Sequence, residues 1–119
     1  MNNLFTRIHT ILNNILEDRV FYGRISVDNE ETVQYPFIVY SERNKRGIVY
    51  SDNLAKILQS IIQVTLVTKN KDIELEERLE NTLIENDIEF QMVTEFINLD
   101  NSISRVYEVR MEVIKWAIK

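Results

Sequence analysis

The side chains that could do acid–base or nucleophilic chemistry are few in this sequence of 119 residues. His9 is the only histidine, and the chain contains no cysteine. A nucleophile needs a base within hydrogen-bond reach, so these residue types do not assemble the common catalytic triads. His9 lies at the edge of a helical apolar stripe, and no residue near it has metal-ligand spacing. We therefore expect a boundary residue on a packed helix and no enzymatic activity. The alternative is a small enzyme that uses His9 with nearby carboxylates.

A second group of reactive side chains is the acidic run over residues 72–87, which holds seven carboxylates and a single arginine. Carboxylates at this density could bind a metal ion or act as general acids. However, Glu74, Glu77 and Glu80 fall on the helix face opposite the leucines, where charged side chains are normally solvated. We therefore predict solvent-exposed side chains throughout this run and neither a metal ion nor another cofactor.

Composition and charge limit the other classes of function. The chain is 45% hydrophobic and 28% charged, which is typical of a globular protein, and its length fits a single domain over residues 1–119. The net charge of −5 disfavours nucleic acid and anionic membranes as partners, and no motif for sequence-specific nucleic-acid binding is visible. No apolar run is long enough to span a membrane, and residues 1–7 do not resemble a signal peptide. We expect the protein to stay in the cytoplasm where it is made.

Hydrophobic periodicity predicts two helices and four to five strands. Apolar residues at helical spacing indicate a helix over about residues 3–18, and Asp72 or Asn70 can cap a second helix over about 72–86, with Ile73 and Ile84 in its apolar stripe. The strands are predicted at about residues 20–25, 36–44, 57–68, 88–95 and 105–116. We therefore predict an α+β fold with a mainly antiparallel sheet.

The only proline opens the densest run of aromatic and β-branched residues, Tyr35–Tyr40, which reads YPFIVY. Proline has a fixed φ and no N–H, so Pro36 suits the first residue of a strand. The residues that follow favour a pleated, half-buried surface. We predict a strand that begins at Pro36 and contributes Phe37 or Val39 to the core.

Residues 44–55 are either a long hairpin loop or an extension of the two strands that flank them. Long loops in small domains are usually functional or mobile. In this segment Lys45 and Arg46 lie beside the apolar Ile48 and Tyr50. The segment is predicted to be either a binding finger or a solvated turn whose apolar residues fold back on the sheet.

Two of the predicted strands alternate cleanly between apolar and polar residues, which indicates that each strand has one buried face and one solvent-exposed face. In the strand over 57–68 the predicted core residues are Leu58, Ser60, Ile62, Val64 and Leu66. In the last strand Tyr107, Val109 and Met111 point to the core, and Glu108, Arg110 and Glu112 point away from it. These three charged residues could pair across subunits.

The order of these elements resembles that of the tail-terminator proteins of long-tailed bacteriophages and prophages, which are also described as tail-completion, head–tail joining or minor tail proteins. The resemblance rests on the N-terminal helix, the Phe21-Tyr22-Gly23 strand, the YPFIVY strand at Tyr35–Tyr40, the single helix after Lys69-Asn70-Lys71, and a last strand that ends in Val113-Ile114-Lys115-Trp116. It covers nearly the whole chain and includes no catalytic signature.

The resemblance implies two helices packed on one face of the sheet and a purely structural role. The protein would be a monomer in solution or form a ring, commonly a hexamer, on the last ring of the tail tube. There it would stop tube elongation and bind the head connector, so its location would be the host cytoplasm and then the virion. The resemblance places subunit contacts at residues 44–53 and at Glu108, Arg110 and Glu112.

A different class of function stays open beside this one. The acidic helix over residues 72–87 could mask a basic partner or mimic a polyanion. The chain would then be a non-catalytic interaction module, for example an immunity, antitoxin-like or adaptor protein.

Overall fold

The computed structural model describes residues 4–23, 34–49 and 55–116 of the chain. Two helices and five strands follow one another in an α+β arrangement, as the periodicity predicts. Their bounds are α1 Leu4–Asn13, β1 Val20–Tyr22, β2 Phe37–Val49, β3 Ala55–Thr68, α2 Ile73–Glu85, β4 Glu89–Ile97 and β5 Ile103–Trp116. The first helix is thus shorter than the predicted 3–18, because the chain leaves it in turns that end at Asp18, whose φ is 63°.

The five strands form one sheet in the order β1-β2-β3-β5-β4. β1 runs parallel to β2 over three residue pairs, and every other neighbouring pair of strands is antiparallel. The long strands β3 and β5 pair from Ala55 opposite Trp116 to Thr68 opposite Ile103. β1 and β4 are therefore the two edge strands of a mainly antiparallel sheet.

Both helices pack on one face of the sheet, and the hydrophobic core lies between them and that face. The alternation predicted for β3 and β5 is confirmed for Ser60, Ile62, Val64 and Leu66, which are buried together with Tyr107, Val109 and Met111. Leu58, predicted with them, is only half-buried. The helices contribute Ile8, Ile11, Leu12, Leu75, Leu79 and Leu83 to the same cluster. These buried apolar side chains hold the helices on the sheet.

In β2 the core residues are not the ones that the sequence suggested. Ile38 and Tyr40 pair with Leu66 and Val64 and are buried under the helices. Phe37 and Val39 point to the other face, where they are only half-buried, so their assignment to the core was wrong. Side chains alternate along a strand, so the register with β3 decides that Ile38 and Tyr40, and not their neighbours, face the helices.

The segment over residues 44–55 is largely strand and not a long loop. β2 continues to Val49 and β3 begins at Ala55, with Val49 paired opposite Lys56. The register shifts once, between Glu42 and Asn44. Only the connection over residues 50–54 lies between the two strands, and it is outside the described residues.

The second helix begins as predicted. The Asp72 carboxylate accepts a hydrogen bond from the Leu75 N–H at 3.1 Å and so caps the helix. The predicted apolar stripe is narrower than the sequence suggested, because Ile73 and Ile84 are 60% and 59% exposed. After β4, Asn101 adopts a positive φ of 71° in the turn that the Asp100-Asn101 pair predicted.

Candidate interaction surface

No described helix or strand lies on the face of the sheet opposite the helices, although Val67, Ser104 and Val106 at its apolar end are buried. We call this face the open face. Strand alternation places on it, among others, Phe37, Val39, Ser41, Asn44 and Arg46 of β2, Gln59, Ile61, Gln63, Thr65 and Val67 of β3, and Ser104, Val106, Glu108, Arg110 and Glu112 of β5. The half of it near the Tyr35–Pro36 bond is apolar, and the half toward residues 46 and 112 is polar and charged.

The three charged residues of β5 that the sequence singled out lie together on the polar half of the open face. Glu112 and Arg110 are exposed, and Glu108 is half-buried opposite Gln63. The Gln59 amide donates to the Glu112 carboxylate at 3.0 Å. These side chains form a polar surface with little net charge, which suits contact with another protein surface.

Arg46 belongs to this surface, but its neighbour Lys45 does not. Arg46 pairs with Gln59, which in turn pairs with Glu112, so the three side chains form one row across the open face. Lys45 pairs with Ser60, which is buried on the helix side of the sheet. The structure favours the strand alternative for this segment, and consecutive residues of a strand point to opposite faces, so the two predicted contact residues do not share one face.

The two remaining predicted contact residues are less well defined by the structure. Ile48 lies in β2 with its backbone paired opposite Ile57. Tyr50 lies outside the described residues.

A shallow depression of about 150 Å³ lies on the charged half of the open face. It is lined by Asn44, Arg46, Gln59, Ile61 and Arg110. The Arg110 guanidinium also lies 3.6 Å from the exposed Glu89 carboxylate of β4. The depression presents two guanidinium groups and an apolar side chain and no carboxylate, so it suits a carboxylate of a protein partner.

A second polar cluster lies on the other side of the sheet, under the first turns of α2, and sequence reasoning missed it. Arg105 of β5 is its centre. The Arg105 guanidinium lies 2.9 Å from a Glu95 oxygen, 3.3 Å from a Glu80 oxygen and 3.6 Å from a Glu76 oxygen. Its Nε donates to the Tyr107 hydroxyl at 2.7 Å. The cluster joins α2 to β4 and β5.

This cluster corrects the prediction that the acidic run is solvated throughout. Glu76 is buried, and Glu80 is half-buried and accepts a hydrogen bond from the Tyr107 hydroxyl at 2.7 Å. Glu76 and Glu80 are one turn apart, so both reach the same strand from the border of the apolar stripe. Their partner is 25 or more residues away, and no local pattern signals it. Glu74 and Glu77 are exposed as predicted.

Neighbouring charges and burial shift the pKa values of this cluster. Hydrogen bonds from Lys71 and then from Arg105 lower the pKa of Glu95. The bond to Glu76, and then that to Glu95, raises the pKa of Lys71. Burial, followed by the bond to Glu80, raises the pKa of Tyr107. All three groups are held in their ordinary charge states at neutral pH, so the cluster acts as a fixed clamp.

His9 is a half-buried boundary residue, as predicted. Its Nδ1 lies 3.1 Å from the Tyr40 hydroxyl, and the two rings are in tilted contact. Over residues 4–23, 34–49 and 55–116, no group of three or more histidine or carboxylate side chains is arranged to hold a metal ion. None of the helices in these ranges is long and apolar enough to cross a membrane.

The sequence matches no protein-family model and no curated protein.

Proposed function

We propose that this chain is a structural virion-assembly protein of a long-tailed phage or prophage. It caps the tail tube, ends tube elongation and forms the interface to the head connector. The observation that carries the proposal is a sheet with helices on one face only, whose open face bears the charged residues Arg46, Arg110 and Glu112. The order of helices and strands, which resembles that of tail terminators, is the second support.

An uncovered sheet face with exposed edge strands favours assembly. An exposed edge strand is a template for pairing with another chain, and natural proteins usually protect it. Heterologous contacts repeated around a rotation axis close into a ring, which protects every edge at once. In this proposal the chain is a monomer in solution or forms a ring, most simply a hexamer, on the end of the tube.

The proposed ring has two different partners, one on each side. The tail-tube protein binds one rim, and the head-connector protein binds the other. The 13- and 14-residue strands β2 and β3 support this division, because their pairing continues past Ser60 to Lys56, and residues 57–59 are only half-buried. The hairpin thus extends the sheet beyond the helical layer toward one end. Assembly takes place in the host cytoplasm, and the protein then remains in the virion.

The alternative is a non-catalytic interaction module such as an immunity, antitoxin-like or adaptor protein. The observation that favours it is the exposed outer face of α2, which carries Glu74 and Glu77. Its acidic surface is smaller than the sequence suggested, because Glu76 and Glu80 are engaged inside the molecule. Recovery of a basic toxin or nuclease from the source cell, without virion components, would support this alternative.

The proposal is tested with the tail-tube protein of the phage or prophage that encodes this chain. Native mass spectrometry of the mixture is expected to show several copies of the chain, most simply six, bound at the tube end. The variant Arg110→Glu reverses one charge of the open face and is expected to weaken this complex. The matched control Glu74→Arg reverses one charge on α2 and is expected to retain it. A chain that stays monomeric and never binds tubes would overturn the proposal.

A further inference from the structure

The outer edge of the sheet at β4 is long and apolar. Over nine residues, Glu89–Ile97, no described residue pairs with the side of β4 that faces away from β5. Large apolar side chains are exposed along it and in the turn that follows, and they are Met92, Val93, Phe96, Ile97 and Leu99. Native edge strands are usually short, covered, bulged or charged. β4 contains one bulge between Met92 and Thr94 and two carboxylates, but it is nine residues long and carries no lysine or proline. Its outer edge can therefore pair with another strand.

The opposite side of the same sheet offers a strand of matching length. β1 covers β2 only from Ile38 to Tyr40. Beyond Tyr40 nine residues of β2 remain, Ser41–Val49, and no described residue pairs with their outer side. Nine residues of β4 and nine of β2 thus have an outer side that pairs with no described residue.

The two edges carry opposite charge. The β4 segment Glu89–Ile97 contains two acidic side chains, Glu89 and Glu95, and no basic one. The β2 segment Ser41–Val49 contains three basic side chains, Arg43, Lys45 and Arg46, and one acidic one, Glu42. Lys45 and Arg46 are exposed and form no ion pair with a described residue. Attraction between the edges therefore favours heterologous pairing over pairing of like edges.

The strand directions also fit. Three antiparallel steps connect β2 to β4 within the sheet, so β4 runs opposite to β2. When a second copy continues the sheet with its helices on the same side, β4 of one copy meets β2 of the next as an antiparallel pair. Antiparallel edges of this kind pair readily through backbone hydrogen bonds.

We propose that β4 of one copy pairs antiparallel with the outer side of β2 in the next copy, over Glu89–Ile97 and Ser41–Val49. This inference rests on the ring assembly proposed above and names its subunit contact. Several registers that differ by two residues keep every side chain on its own face. We choose the one that sets the acidic Glu95 against the basic Lys45. In it Thr94 lies opposite Arg46, Glu95 opposite Lys45 and Met92 opposite Gly47. The apolar side chains of β4 are then covered by the neighbouring copy.

The chain has no cysteine, so engineered cysteines report this contact without background. Arg46→Cys and Thr94→Cys are made in separate chains, which are mixed with the tail-tube protein and oxidised mildly. Directly opposed residues of an antiparallel pair are close enough for a disulfide. The proposed contact holds Arg46→Cys and Thr94→Cys together, so these two chains are expected to give about ten times more mixed disulfide than the control chains Arg46→Cys and Asn81→Cys. Asn81 is an exposed residue of α2.

Three results would overturn this contact. Equal yields for both pairs, with the ring still present on tubes by native mass spectrometry, would reject it while leaving the proposed function standing. Cross-linking of Thr94→Cys only with itself would show a two-fold pairing of β4 with β4 instead. If no oligomer and no tube binding are detected with the unmodified chain, the proposed function fails together with the contact.

Discussion

The clamp around Arg105 leads to a specific stability prediction, tested by the substitution Arg105→Met. Methionine keeps much of the aliphatic volume of arginine and removes the charge and the donors. The variant leaves three carboxylates, Glu76, Glu80 and Glu95, with only Lys71 to balance them.

The size of the effect follows from the burial of the cluster. The side chains of Arg105 and Glu76 are 19% and 8% exposed, whereas those of Glu80 and Glu95 are 29% and 30% exposed. Removing one partner of a fully buried ion pair costs about 3–5 kcal/mol. Solvent screening at the two half-exposed carboxylates reduces this, so we expect a loss of about 2–3 kcal/mol in the free energy of unfolding.

The assay is urea unfolding followed by far-ultraviolet circular dichroism. With a urea dependence of about 1.5 kcal/mol per molar, the midpoint is expected to fall by about 1.3–2 M. Arg110→Met is the matched control, because it removes the same side chain from the same strand at an exposed ion pair. We expect it to change stability by less than about 0.5 kcal/mol. Equal and small effects of both substitutions would refute the assignment of Arg105 as the centre of a stabilising clamp.

Two further predictions concern the faces of β2 and the turn after β4. Ile38→Ala removes a fully buried side chain and is expected to cost about 2–5 kcal/mol in urea unfolding, whereas Val39→Ala on the open face should cost less than half as much; a reversed order would contradict the observed strand orientation. Hydrogen bonds from Ser102 and then from Tyr35 lower the pKa of Asp100 from 3.8 to about 2, so its stabilising effect is complete above pH 3.8 and is lost as the pH falls toward 2. Asp100→Asn should therefore lose less stability than the unmodified chain between pH 4 and pH 2, and parallel acid-unfolding curves would argue against these hydrogen bonds.

Local patterns predicted the elements and most of the core. The buried alternation of Ser60–Leu66 and the Asp72 cap follow from residues that are near one another in sequence, so a single stretch contains the signal. The strand beginning near Pro36 was predicted for the same reason. Its face was not, because Phe37 and Ile38 are both suited to a core and only the register with β3 decides between them.

The candidate surface was predicted in part. The alternation of β5 placed Glu108 and Glu112 together on one face, as the structure has them. Lys45 and Arg46 were grouped because the polar composition suggested a loop, whereas pairing with β3 extends the strand through them. The contacts of Arg105 join segments of the chain that are far apart in sequence, which periodicity does not report.

The measurement that tests the central proposal most directly is the length of tail tubes assembled with and without this chain. Tail-tube protein is polymerised at a fixed concentration, and electron microscopy records tube lengths and tube ends. The proposal predicts that added chain stops elongation and produces tubes with an extra ring of density at one end. Tubes of unchanged length, with bare ends at saturating concentrations of the chain, would contradict it.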